Sequence, residues 1–175
     1  MKKNLFIWQI IGICFTAVLG TVLHFLYQWT KVRTIAWASA INESTWEHMK
    51  LLFIPSLLFA IVQSFWAKDD LCFWPAKLIG ITIGVALIPV LFYTLSGIFG
   101  KLPSVVNVSI FFVSVIAQYG VEYLLYPKLT CSTPLKWLAV VALLFLLSLF
   151  VVFSYYPPKL PLFQDPITNG YGITK

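Results

Sequence analysis

Hydrophobic residues run along this chain in long unbroken stretches, separated by short polar segments. From Asn4 to Thr30 there is no Asp, Glu, Lys or Arg. A helix of about 20 apolar residues crosses a hydrocarbon core about 30 Å thick. The pattern predicts five such spans, roughly 5–27, 49–67, 76–98, 104–126 and 134–156. These runs are too long and too continuous for barrel strands, and in lipid the backbone polar groups must be satisfied within the segment, so all five are read as helices. The first run follows Lys2 and Lys3, as a signal peptide would, but a cleaved apolar region is only about 7–15 residues long. It is therefore read as a retained span. Lys68, Asp69 and Asp70 close the second span, Gly97, Gly100 and Pro103 the third, Tyr126-Pro127 the fourth and Pro157-Pro158 the fifth. Trp29, Trp66, Trp74, Trp137, Tyr126, Tyr155 and Tyr156 fall near span ends and read as interfacial aromatic belts. The expected fold is an all-α polytopic membrane helix bundle, a single domain over 1–175. It has a first loop over 28–48, whose 32–41 part is a candidate interfacial helix, and a tail over 157–175.

Composition narrows the function classes. Sixty per cent of residues are hydrophobic and 10% are charged, against about 25% charged in an ordinary soluble domain. A soluble enzyme, a nucleic-acid binder and a disordered chain are all poor fits. The net charge of +6 comes from basic residues scattered singly between apolar runs. The partner they imply is the lipid bilayer of a cell membrane, not nucleic acid. Orientation is nearly balanced. Lys2, Lys3, Lys68, Lys77, Lys128 and Lys136 fall on the N-terminal face; Lys31, Arg33, Lys50, Lys101, Lys159 and Lys175 fall on the other. Met-Lys-Lys favours a cytoplasmic N-terminus. Cys72 and Cys131 lie in two loops on one face, where they stay reduced if that face is cytoplasmic and can pair if it is external. Cys14 sits within the first span and reads as a small hydrophobe.

Polar residues at helical spacing carry the candidate chemistry. Gly12, Thr16, Gly20 and His24 share one face of the first span, where small residues let another helix approach. The densest polar run is 42–48. Ser44 and Glu47 match a capping box ahead of the second span. If the helix begins at Asn42 instead, Glu43 and Glu47 lie on one face with His48 beside them. His24, Glu43, Glu47 and His48 are then candidate ligands for a divalent metal ion, and a cation between the two carboxylates would relieve their repulsion. Asn42, Asn107 and Asp165 are candidate contributors to a ligand pocket on the same face. No H-E-x-x-H signature is present. In the fourth span Asn107, Ser114, Gln118 and Glu122 form a polar stripe at intervals of 7, 4 and 4. Glu122, near the opposite face, is read first as paired with Lys128 or Lys77 at the interface, and Gln118 and Glu122 together as a candidate proton or ion relay. Pro55 and Pro89 each remove a helix hydrogen bond, Gly80 and Gly84 form a packing motif, and the fifth span is nearly featureless.

The run Asn42-Glu-Ser-Thr-Trp-Glu-His-Met-Lys-Leu-Leu-Phe-Ile-Pro55, with the tail Pro161-Leu-Phe-Gln-Asp-Pro-Ile-Thr-Asn-Gly-Tyr-Gly172, resembles a family of small bacterial multi-pass membrane proteins. That family is classed only as a domain of unknown function. The resemblance extends over essentially the whole chain and is most specific in Asn-Glu-x-x-Trp-Glu-His. It implies that motif and tail are family features, and it brings no activity with it.

Three functions remain open on these residues. A polar pocket at the ends of the first two helices could hold a divalent cation or a small polar ligand, for transport with a homo-oligomeric or larger membrane partner. An intramembrane metal-dependent hydrolase would use the same residues, with Glu43 or Glu47 as base or ligand and Asp165 completing the shell. An accessory subunit without chemistry would need only the caps, belts and packing motifs.

Overall fold

The computed structural model describes residues 4–68 and 70–173. Lys2, Lys3, Asp69 and Lys175, which enter the charge tally, lie outside the described residues. Five long helices follow one another: α1 Leu5–Thr30, α2 Thr45–Ser64, α3 Phe73–Phe99, α4 Ser104–Leu125 and α5 Thr133–Tyr155. All five are long and apolar enough to span a membrane, and among the described residues there is no β-strand. The fold is an all-α bundle.

Local chemistry sets the helix ends. Lys31, with φ of 55° and its N–H bonded to the Tyr27 carbonyl, closes α1 three residues beyond the expected boundary. Ser44 starts α2 four residues earlier than hydropathy suggested, because its hydroxyl accepts the Glu47 N–H. Pro75 and Pro134 sit in the first turns of α3 and α5, where a missing N–H does no harm. The helices continue through Pro55 and Pro89. The stretch 32–41 is not an interfacial helix. It forms one 3₁₀ turn over Arg33–Ile35 and then tucks Ala36, Ala38 and Ala40 against the helix ends. Ser39 fixes it there, donating to the Leu23 carbonyl and accepting from the Tyr27 N–H.

α2 is the hub. Of its apolar window 78% is buried, against 22–33% for the other four helices. α1 and α3 flank it, α4 packs on both α1 and α3, and α5 leans on α3 and α2. Small residues permit the close approaches. A Cβ on Gly12 would come within 2.7 Å of the Phe59 ring and closer still to Tyr119; one on Gly20 would stand 2.7 Å from Phe111 and 2.8 Å from the Leu51 carbonyl. That carbonyl is the one Pro55 leaves without its helical donor.

Connectivity puts the α2–α3 and α4–α5 loops on the face where α1 begins. Cys72 and Cys131 join those two loops in a disulfide, with 5.2 Å between Cα atoms. The α1–α2 and α3–α4 loops share the opposite face with the tail. The tail docks there: Phe163 lies 4.7 Å from the Trp46 ring, which in turn stacks 4.5 Å from Phe150 of α5. Trp29, Trp66, Trp137 and Tyr156 are exposed at helix ends, as a belt requires. Tyr126 departs from the belt. It is buried, and its hydroxyl donates to Asp70 at 2.5 Å.

Candidate functional site

Three of the four candidate metal ligands meet at the end of the bundle that carries the tail. His24 comes from the penultimate turns of α1, Glu43 from the loop before the Ser44 cap, and His48 from the first turn of α2. His24 Nε2 lies 3.7 Å from one Glu43 oxygen and His48 Nε2 lies 3.6 Å from the other. One ligand atom from each residue can be chosen so that all lie within 4.8 Å of one another. The two imidazole rings are 5.5 Å apart, and all three residues are half-buried.

Because α2 starts at Thr45, Glu43 is not on the helix and the two glutamates point apart. Glu47 does not join the cluster. It is buried, and its carboxylate faces Lys50 Nζ at 2.6 Å, with the Ile41 N–H and the Ser154 hydroxyl as further donors. Nor does Glu47 complete the capping box, since the Ser44 N–H goes to Asn42 Oδ1. Asn42 closes its own turn in this way and donates its amide to the Gly172 carbonyl, tying the motif to the tail. Asp165 does not reach the cluster either. Its oxygens accept from the Ile167 N–H and the Thr168 hydroxyl, building a turn inside the tail. Asn107 shares the face, but its buried Oδ1 has no hydrogen-bond partner. Gln118 and Glu122 lie at the other end of the bundle, where Glu122 pairs with Lys77 at 2.6 Å.

The protonation pattern of His48 follows from one contact. Its Nδ1 lies 2.9 Å from the Ser44 carbonyl, which can only accept, so Nδ1 carries the proton. In the neutral ring Nε2 then presents a lone pair to the Glu43 carboxylate, whereas a protonated ring presents an N–H to it. A direct charge-assisted N–H···O bond would be about 2.7–2.9 Å long. Two donors on a shared tetrahedral ion, each about 2.0–2.1 Å from it, would stand about 3.3 Å apart. The observed 3.6 and 3.7 Å are nearer the second spacing. A carbonyl bonded to the far nitrogen of an imidazole is also the usual support of a metal-ligating histidine.

Sequence reasoning missed Lys50 in the polar interior, whereas Lys77 was already one of two partners offered for Glu122. Lys50 and Lys77 were counted as flanking charges, yet both are buried in ion pairs. For Lys50 a signal existed, the i,i+3 spacing from Glu47. For Lys77 the pairing with Glu122 is the one of the two offered, Lys77 or Lys128, that the structure shows.

Residues 1–173 match a family described as a family of unknown function, DUF6512. No curated protein and no solved structure matches the chain.

Proposed function

The chain belongs to the DUF6512 family, which lends it no activity, and from the site alone we propose that this membrane protein binds a divalent cation through His24, Glu43 and His48. The observation that carries the reading is the convergence of two imidazoles on one carboxylate, His48 Nε2 3.6 Å from one Glu43 oxygen and His24 Nε2 3.7 Å from the other. Two imidazoles and a carboxylate, with no thiolate, suit Zn²⁺ or Fe²⁺ better than Ca²⁺ or Mg²⁺. Three protein ligands leave a coordination position open for water or a carried ligand.

The geometry favours binding, with transport as its natural use in a multi-pass protein, over hydrolysis. Glu47, a candidate general base, is held by Lys50 and Ser154 away from the cluster. Glu43 would be occupied as a ligand. A hydrolase would therefore need a base from elsewhere.

The disulfide bears on orientation. A Cys72–Cys131 bond persists in an oxidising compartment, which supports an external N-terminal face, the reverse of what Met-Lys-Lys suggests. Lys50 and Lys77, one from each side of the tally, are neutralised inside the bundle, so the basic count stays even and does not oppose this. In that orientation the metal site and the tail face the cytoplasm.

Elemental analysis of gently purified, chelator-free protein tests the reading. Near-stoichiometric Zn or Fe is expected in the wild type and is expected to be lost in Glu43→Gln/His48→Ala. Absence of metal in both, after incubation with each ion and desalting, would sink it.

A further inference from the structure

A second polar cluster sits near the N-terminal face. Lys77, in the second turn of α3, and Glu122, in the last turn of α4, form a 2.6 Å ion pair that is 4% and 2% exposed. α3 is notched to receive it. A Cβ on Gly80 would stand 2.8 Å from Glu122 Oε1 and closer to its Cγ, and one on Gly84 would stand 2.8 Å from Gln118 Cβ. The Gly80–Gly84 pair therefore seats two polar side chains rather than a bare helix face. Gln118 donates to Glu122 Oε1 at 3.3 Å and accepts from Ser56 at 2.9 Å. The Lys77 ammonium also lies 5.3–5.8 Å from the rings of Tyr119, Phe59 and Phe73.

The pair is not sealed. Gln9, Gln63, Lys77 and Glu122 line a cavity of about 10 Å³, roughly the room one water needs. Among the described residues the carbonyl oxygens of Gln9 and Gln63 have no hydrogen-bond partner, although those residues are only 5% and 1% exposed. Two orphaned acceptors, a carboxylate and an ammonium offer one small protic molecule the partners it requires.

We infer that Glu122 is a proton-exchange site inside the bundle, loaded from the N-terminal face by a water or hydronium ion held among Gln9, Gln63 and the Lys77–Glu122 pair. In the loading step an O–H bond of hydronium breaks and its electron pair stays on the departing water. A new O–H bond forms on a Glu122 carboxylate oxygen. Lys77 remains an ammonium, so the cluster gains one positive charge, and the reverse step returns the proton to water. Among the described residues the titratable and charged groups facing Glu122 are Lys77 from α3, Tyr119 from α4 and Tyr126 from the 3₁₀ turn that follows α4. α1 and α2 contribute the neutral Gln9, Gln63 and Ser56. Gln118 is an amide that orients the carboxylate and passes no proton on, so access is from one face only. This site lies at the far end of the bundle from the metal cluster and stands without it.

Infrared difference spectra of the reconstituted protein between acidic and neutral buffer test the inference. The wild type is expected to show a carboxylic-acid carbonyl band that shifts in D₂O and is lost in Lys77→Met/Glu122→Gln, a variant that leaves no buried charge unpaired. Gln9→Leu/Gln63→Leu keeps the ion pair but removes the two acceptors that would hold the water, and is expected to slow the D₂O shift about tenfold. An identical band in wild type and Lys77→Met/Glu122→Gln would overturn the proton site. An unslowed shift in Gln9→Leu/Gln63→Leu would overturn the route.

Discussion

Lys50 sends its ammonium protons to Glu47 at 2.6 Å, to the Ser154 hydroxyl at 2.6 Å and to the Ala36 carbonyl at 2.8 Å. Three donors meet three acceptors in a site with no exposure to solvent. Removing one member of such a buried pair typically costs about 3–5 kcal/mol, while replacing both with neutral groups can be close to neutral. Lys50→Met is therefore expected to lower the thermal midpoint in detergent sharply, and Glu47→Gln/Lys50→Met to recover most of it. Both proteins should hold as much metal as the wild type. A metal loss in the double variant would return Glu47 to the ligand set. Glu43, only four residues earlier, has its carboxylate turned to two imidazoles instead. The Ser44 cap separates the two roles, because it leaves Glu43 in the loop and puts Glu47 in the first turn of α2. From spacing alone the glutamates could share a face, and only the cap position decides that they do not.

At the scale of helices, glycine marks where side chains of a neighbour must fit. A methyl at Gly80 would collide with Glu122, whereas a methyl at Gly97, also on α3, meets nothing within 4 Å. Overpacking of a well-filled contact typically costs about 1–3 kcal/mol. Gly80→Ala is expected to destabilise by that order, with Gly97→Ala within about 0.5 kcal/mol of wild type. Equal thermal midpoints for the two variants would mean that α4 yields easily at Glu122. The G-x-x-x-G spacing was visible in sequence as a packing motif. That it cradles Glu122 and Gln118 was not, because the partner of a glycine is set by the helix that arrives there. Similarly, α2 has the lowest mean hydropathy of the five spans and is the most buried. Its polar residues Glu47, Lys50, Ser56 and Gln63 find partners or a cavity inside the bundle, and its exposed apolar surface is confined to a strip near its C-terminal end, Leu58, Ile61 and Val62.

For the whole molecule, an odd number of spans places the N-terminal face and its disulfide opposite the metal cluster and the docked tail. In Cys72→Ser the freed Cys131 is expected to react with a membrane-impermeant maleimide in intact cells. Labelling only after lysis would reverse the proposed orientation and put the metal cluster outside. The disulfide was one of two outcomes that the loop positions allowed, and the choice between them depends on the compartment. The tail was equally open. Its turns were legible as Asp165-Pro166 and Asn169-Gly170, but its seat depends on Phe163 finding Trp46, 117 residues away in a helix it follows by three others.

By itself the sequence determined what the bilayer enforces. Apolar runs of sufficient length must become helices, since lipid offers no partner for backbone polar groups. The span count, the shared faces of the loops and the clustering of polar residues around 42–48 follow from that. Tertiary structure alone decided which polar groups meet. Hydrogen bonds and ion pairs act over about 3 Å, and nothing in spacing along the chain brings His24 to Glu43, or selects Lys77 over Lys128 as the partner of Glu122. Packing of the other helices around α2 does so, dividing the polar residues into a half-buried cluster of His24, Glu43 and His48 beside the buried Glu47–Lys50 pair at one face and the buried Lys77–Glu122 pair at the other.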